Sequence, residues 1–236
     1  MDISIILPTY NEKENIIDLI PKLDHLIKKL NKKAEIIVVD DSSPDGTGDA
    51  TLKLNQLYGN IRLITRPKKE GMGAAIKEGF DNARGHILLS LDVDSLDTLE
   101  IEKMLIKIEE GFDLVVGSRY LQKGSYKKGL VKTFIKNRVS SLGNKFAKIM
   151  LGINLTDFSL NCRAIKKNVW ENINVTEKSN SFMLETIVKS HFKGYKIAEV
   201  PVTFNERKYG KSKLKLTLQS YLFLRKVFHY TFNYRF

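Results

Sequence analysis

The feature that most constrains this chain is an alternation along its first two-thirds, where short β-branched runs are separated by segments whose apolar residues recur at helical spacing. The runs Ile3–Leu7, Glu35–Val39, Ile61–Thr65, His86–Leu91 and Asp113–Gly117 read as strands. Between the first two, Ile16, Leu19, Leu23, Leu26, Ile27 and Leu30 keep the period of a helix, and Leu99 to Ile108 repeats the pattern after the fourth run. Such an alternation folds as stacked βαβ units around a mostly parallel sheet covered by helices. Pro21 lies inside the first helical pattern, where an interior proline costs about 3 kcal/mol, so a disturbance is expected there.

A core built from 236 residues removes roughly 70–75% of the unfolded chain's surface from water, enough to need no covalent staples. The single cysteine, Cys162, excludes an internal disulfide, fits a reducing compartment, and in an apparent strand reads as a small buried hydrophobe. Trp170 reads as core, and the four scattered histidines do not suggest a ligand set. No stretch approaches the roughly 20 apolar residues of a membrane span, and the first residues lack a signal-peptide pattern, so the expected location is the cytosol or the cytosolic face of a membrane.

Lysine and arginine total 39 against 27 acids, a formal charge of +12, which predicts polyanionic company: nucleic acid, anionic lipid or phosphorylated substrates. Nucleic acid is disfavoured, because the aromatics do not alternate with Arg and Lys as in a stacking platform.

After Tyr120 the texture changes. Lys123 to Lys136 is rich in Lys and Gly and reads as a mobile loop, and Phe134 to Met150 reads as a helix with Ile135, Val139, Leu142, Phe146 and Ile149 on one face. Lys196–Phe204 is β-rich, and no acid follows Glu206. In the tail, Tyr221, Leu224, Val227, Phe228, Thr231 and Phe232 fall on one side of a helix and Lys215, Gln219, Lys226, His229 and Asn233 on the other. A helix of this kind suits the interfacial layer of an anionic bilayer; the alternative is packing against the body or a partner. The expected division is a catalytic domain over 1–214 and an amphipathic interfacial helix over 215–236.

Ligands of open α/β sheets sit beyond the carboxyl ends of the strands. Those ends carry Pro8-Thr9-Tyr10-Asn11-Glu12, Asp40-Asp41-Ser42-Ser43-Pro44-Asp45-Gly46-Thr47 and Asp92-Val93-Asp94. Each cluster has a structural reading as a cap or turn, but three acid-bearing loops at strand ends converge on one rim. Paired carboxylates in so basic a chain point to Mg²⁺ or Mn²⁺ held with phosphate oxygens; general acid/base catalysis is the alternative. Walker loop, G-x-G-x-x-G and nucleophile-elbow motifs are absent, and Gly71-Met72-Gly73 reads as a tight turn opening a helix.

These motifs, taken with Gly117-Ser118-Arg119-Tyr120 and with Glu199-Val200-Pro201-Val202-Thr203-Phe204, Arg207, Tyr209-Gly210 and Ser212-Lys213-Leu214, resemble the GT-A glycosyltransferases of family 2, and among them the dolichyl-phosphate mannose or glucose synthases. The resemblance runs from residue 3 to about residue 214. It implies that Pro8, Tyr10, Glu12 and Asp41 line the nucleotide pocket, that Asp92 faces the ribose or diphosphate, and that Asp92 and Asp94 bind the metal, Asp94 as principal ligand. It also implies that Arg119, Ser140 and Arg207 contact the acceptor phosphate, with Lys213 in the same anionic site. Asp94, Arg119 and Arg207 are thus the implied catalytic set. Two departures stand out: Leu96 occupies a position where relatives commonly place a metal-binding Gln, and Leu160-Asn161 replaces a usual Ser-Gly.

The function so implied is inverting transfer of a hexose, mannose first, from GDP-mannose or UDP-glucose to a polyprenyl or dolichyl phosphate, by a peripheral enzyme on the cytoplasmic face of an anionic membrane. A lipid monophosphate is already ionised near neutral pH, so no general base is needed. The competing reading is a sister enzyme with a glycan, glycolipid or protein acceptor. A neutral hydroxyl would need a base, for which Asp157 is the candidate.

Overall fold

The structure is a computed structural model describing residues 1–94, 98–121, 131–203 and 216–235, with only the backbone described for 131–137 and 216–217. The chain runs β1 (Ile3–Thr9), α1 (Lys13–Leu30), β2 (Ala34–Asp40), α2 (Thr47–Tyr58), β3 (Ile61–Thr65), α3 (Met72–Asp81), β4 (Ile87–Leu91), α4 (Thr98–Glu109) and β5 (Leu114–Ser118). It continues through α5 (Val131–Leu151), β6 (Cys162–Lys166), α6 (Lys167–Ile173), α7 (Phe182–Phe192), β7 (Ile197–Pro201) and α8 (Leu216–Tyr234).

The strands form one sheet in the order β3-β2-β1-β4-β6-β5-β7, parallel throughout except for β6, which runs antiparallel to both neighbours. β1 and β2 are buried along nearly their whole length, which is why they read as continuous apolar runs rather than alternating ones. One apolar layer joins α1, α2 and α4 to the sheet; the other joins it to α3, α6, α7, Ala147 and Leu151 of α5, and Val227 and Tyr230 of α8. The order reverses beside β1, since the chain builds β2 and β3 on one side and then crosses to β4 on the other. A crevice opens at such a switch point, beyond the carboxyl ends of β1 and β4.

Several local expectations change. α1 runs through Pro21 unbroken, because the missing donor falls on an exposed face where water can serve the Ile17 carbonyl. The expected loop over 123–136 is helical from Val131 on, and residues 122–130 lie outside the described residues. The apolar stripe of α5 does not face the body: Leu142 is 65% and Ile149 73% exposed, while Asn144, Ala147 and Leu151 are buried. The apolar side of α8 is split, with Val227, Tyr230 and Thr231 buried and Tyr221, Phe228 and Phe232 exposed. Cys162 and Trp170 are in the core as expected.

Gly71 and Gly73 explain the turn before α3. A β-carbon at either position would stand 2.5 Å from a backbone oxygen, that of Lys178 for Gly71 and of Ser179 for Gly73, so the segment before α7 can pack there only against glycine.

Candidate active site

The rim is assembled by register. Thr9 at the end of β1 pairs with Asp40 at the end of β2, and the Asp41 amide donates to the Thr9 carbonyl at 3.2 Å. With β1 between them, the ends of β2 and β4 lie two strand spacings apart, about 10 Å. Pro8, Tyr10, Glu12, Asp41, Asp92 and Asp94 therefore belong to three neighbouring strand ends on one edge.

Asp40 and Asp45 have structural tasks. Asp40 accepts from the Thr9 hydroxyl at 2.9 Å and from the Ser43 amide at 2.9 Å, bracing the 41–45 turn. Burial opposes the charged form of Asp45, but bonds from Thr47 and from the Lys13 amide prevail and hold its carboxyl below the usual carboxylate range.

Asp41 is different. It is buried, and Arg66 Nη1 lies 3.0 Å from its Oδ1 without the alignment of a hydrogen bond, so among the described residues that oxygen receives no hydrogen-bond donor. Burial pushes the Asp41 carboxyl up, with Arg66 and Lys69 pulling the other way. Arg66, itself buried, also meets Glu70 at 3.3 Å and Glu78 at 3.2 Å, and Lys69 sits 3.9 Å above the centre of the Tyr10 ring. Sequence reading missed both cations, because single basic residues carry no signal in a chain this basic. Glu12 accepts from Asn15 Nδ2 at 2.5 Å.

Asp92 and Asp94 follow β4. Buried Asn161 bridges to Asp92: its Oδ1 accepts from Ser90 Oγ at 2.7 Å and its Nδ2 donates to Asp92 Oδ1 at 3.2 Å. The amide orientation follows from the chemistry, since an ionised carboxylate can only accept. Thus Asn161, one of the two departures, fixes a carboxylate of the rim.

A divalent cation can be tested against this donor set. Among the described residues no group of three or more Asp, Glu, His or Cys could cage a metal. Two carboxylates without a third suit a hard cation whose coordination is completed by phosphate oxygens and water, as Mg²⁺ and Mn²⁺ accept, and do not suit a closed protein cage.

At the far side of the rim, Arg119 follows β5. Asp157 grips it in fork fashion, Oδ2 on Nε at 2.7 Å and Oδ1 on Nη2 at 3.0 Å, and Ser159 Oγ accepts from Nη2 at 2.8 Å. Ser140 of α5 stands at 3.5 Å from the same nitrogen. Asp157 also accepts the Arg119 amide at 3.3 Å, the Ser159 amide at 3.1 Å and the Ser159 hydroxyl at 3.1 Å. Its four lone-pair sites are occupied, so it is not placed to take a proton from an acceptor hydroxyl. Arg207, Lys213 and Leu96 lie outside the described residues.

The sheet order and the acidic rim have the GT-A architecture of glycosyltransferases. The chain belongs to glycosyl transferase family 2, whose profile matches residues 4–173. It is 32% identical over 218 residues to polyprenol monophosphomannose synthase of Mycolicibacterium smegmatis, covering 89% of this chain and 80% of that protein. It is 33% identical over 218 residues to dolichol-phosphate mannosyltransferase of Pyrococcus furiosus, covering 91% of this chain but only 60% of that one. Among solved structures, glucosyl-3-phosphoglycerate synthase of Mycobacterium tuberculosis superposes with a TM-score of 0.73 at 18% identity, over 98% of this chain and 78% of that one; it was crystallised with Mn²⁺, UDP and phosphoglyceric acid. A second crystal structure of that enzyme, with Mg²⁺ and UDP, gives a TM-score of 0.66 at 18% identity over 96% and 79%.

Proposed function

We propose that this chain transfers mannose, with inversion, from GDP-mannose to a polyprenyl phosphate at an anionic membrane surface. The observation that carries this reading is the contrast between the two ends of the rim: carboxylates at Asp41, Asp92 and Asp94, and across from them a guanidinium beside Ser140 whose carboxylate partner Asp157 is fully engaged in holding it. A carboxylate committed to the guanidinium suits an acceptor that arrives ionised, and a lipid phosphate does, its second ionisation lying near pH 6. The relatives named for polyprenol monophosphomannose synthesis and dolichol-phosphate mannosyl transfer support the same sugar and acceptor.

Each side chain then has a task. Asp41 lines the nucleoside pocket, where a carboxylate suits the paired N1–H and N2–H of guanine better than uracil, which offers one N–H between two carbonyls. Tyr10, Glu12 and Pro8 line the nucleoside pocket. Asp94, with Asp92 held by Asn161, would hold Mg²⁺ or Mn²⁺. When bound, the cation offsets charge on the departing diphosphate. Arg119, Ser140 and Arg207, with Lys213, hold the acceptor phosphate, Arg119 through the positive charge of a guanidinium that Asp157 fixes by its Nε and Nη2. A phosphate oxygen forms the new bond to the anomeric carbon from one face while the bond to the diphosphate oxygen breaks on the other, its electron pair leaving with GDP.

The membrane location rests on α5 and α8. The ring centroids of Phe146 and Phe228 lie 5.4 Å apart, joining the two helices. Val139, Leu142 and Ile149 continue from Phe146, and Tyr221, Leu224 and Phe232 from Phe228, along neighbouring helical turns, and all are exposed. Neither helix contains an acid, and exposed Arg138, Lys145 and Arg225 flank the stripe. An apolar strip with a purely basic border fits an anionic bilayer surface, and no described helix is long and apolar enough to cross a membrane. α8 is accordingly the interfacial element of the 215–236 segment, beside a catalytic domain over 1–214.

The test is incubation with polyprenyl phosphate, labelled GDP- and UDP-sugars and Mg²⁺ or Mn²⁺, followed by organic extraction. Label from GDP-mannose should enter the organic phase; label from UDP-glucose alone would overturn the donor assignment.

A further inference from the structure

We infer that Glu199 is a positioning residue for the acceptor phosphate, acting through the 156–157 turn and Asp157 on Arg119. The inference rests on the proposed role of Arg119 as an acceptor contact and adds a residue that does not itself reach the acceptor.

Glu199 lies on β7 in parallel register with Val116 of β5, two residues short of the strand end that Arg119 follows. Its neighbours Ala198 and Val200 point into the layer with α1 and α4, so by strand alternation Glu199 faces the other layer, where α5 lies. One oxygen, Oε1, collects three donors there: the Thr156 amide at 2.7 Å, the Thr156 hydroxyl at 3.0 Å and the Asp157 amide at 3.0 Å. Thr156 Oγ1 is also 2.5 Å from Ser118 Oγ, just before Arg119. These bonds stop the turn from rotating, and the turn carries the carboxylate that grips Arg119 on Nε and Nη2. From the other side Asn144 of α5 accepts the Phe158 amide at 2.7 Å. The guanidinium is thus aimed by a chain of fixed contacts that begins on an edge strand.

Because a single oxygen does the holding, reach matters and charge does not. Glu199→Gln retains an acceptor oxygen at the same distance; Glu199→Asp retains the charge but withdraws the oxygen by one methylene. KM for polyprenyl phosphate and for the nucleotide sugar are measured separately in these variants, in Arg119→Ala and in the Arg119→Ala/Glu199→Asp double variant, with melting temperatures alongside.

Glu199→Asp should raise the acceptor KM several-fold and leave the donor KM unchanged. Glu199→Gln should stay close to wild type, and the double variant should be no worse than Arg119→Ala, since both act through one group. If Glu199→Asp does not fold, Thr156→Val, which removes one of the three donors, must raise the acceptor KM alone. Equal shifts in both KM values, a Gln variant as impaired as the Asp variant, or multiplicative effects in the double variant would overturn the inference. An unchanged acceptor KM in Arg119→Ala would overturn the acceptor reading itself, and this inference with it.

Discussion

Asp157 and Arg119 form a bidentate pair, Oδ2 on Nε at 2.7 Å and Oδ1 on Nη2 at 3.0 Å, with the carboxylate fully buried and the guanidinium partly exposed. The pair turns Asp157 from a candidate base into a clamp, which suits an acceptor that arrives already ionised. Removing one partner of a buried pair strands the other and costs about 3–5 kcal/mol. Asp157→Ala should therefore lower the melting temperature and abolish acceptor saturation. Asp157→Asn, which keeps one acceptor oxygen, should fold and raise the acceptor KM without shifting the pH dependence of kcat. Loss of an acid limb in the Asn variant would restore Asp157 as a base.

Donor binding should weaken in acid at an unusually high pH. Burial raises the Asp41 carboxyl above the usual carboxylate range despite Arg66 and Lys69, and a carboxyl offers both oxygens to the N–H groups of a base only in its ionised form. As pH falls through that raised pKa a proton occupies Asp41 and the donor KM rises. Stability has the opposite sign, because the folded chain holds this proton more tightly than the unfolded one and its burial penalty eases in acid. Asp41→Asn should raise the donor KM at neutral pH and flatten the acid limb; a donor KM in Asp41→Asn equal to wild type at every pH would remove Asp41 from the pocket.

Asn161 should tune the cation. Asn161→Gly deletes the donor that meets Asp92 Oδ1 at 3.2 Å. Loss of such outer contacts typically costs 10–100-fold in metal affinity. Titration of Mn²⁺ into the protein with saturating GDP should show that loss while Asn161→Gln or wild type binds more tightly; an unchanged affinity would make Asn161 a packing residue only.

Gly73→Ala inverts the usual helix rule. Alanine ordinarily gains about 1 kcal/mol over glycine in a helix, yet here its β-carbon would stand 2.5 Å from the Ser179 oxygen and 2.6 Å from the Phe182 β-carbon. Overpacking of this kind costs about 1–3 kcal/mol, so thermal unfolding should begin at a lower temperature; a raised melting temperature would show that the segment before α7 yields freely.

Much of this was legible in the sequence, and the exceptions share a cause. The parallel strands and the acid clusters at their ends are local patterns, read from Ile3, Glu35 or Asp92 and their neighbours. The antiparallel course of β6 is not local: Cys162 is marked as strand by its surroundings, but its direction is fixed by pairing with Leu91 and its neighbours across the sheet. The α5 stripe illustrates the same limit, since periodicity defines a face without saying what it meets. Ala147 packs inward while Leu142 and Ile149 remain outside. Arg66, Asn161 and Glu199 gain meaning only from partners at least 25 residues away in sequence, and Arg207 and Lys213 rest on the sequence resemblance.

The most direct measurement compares two acceptors of equal chain length, a polyprenyl phosphate and the corresponding neutral polyprenol, with the same labelled GDP-mannose and Mg²⁺ or Mn²⁺. If an ionised attacker stands in for a catalytic base, only the phosphate becomes mannosylated, and Asp94→Ala loses that transfer. Equal labelling of the alcohol, or undiminished turnover in Asp94→Ala, would contradict the account.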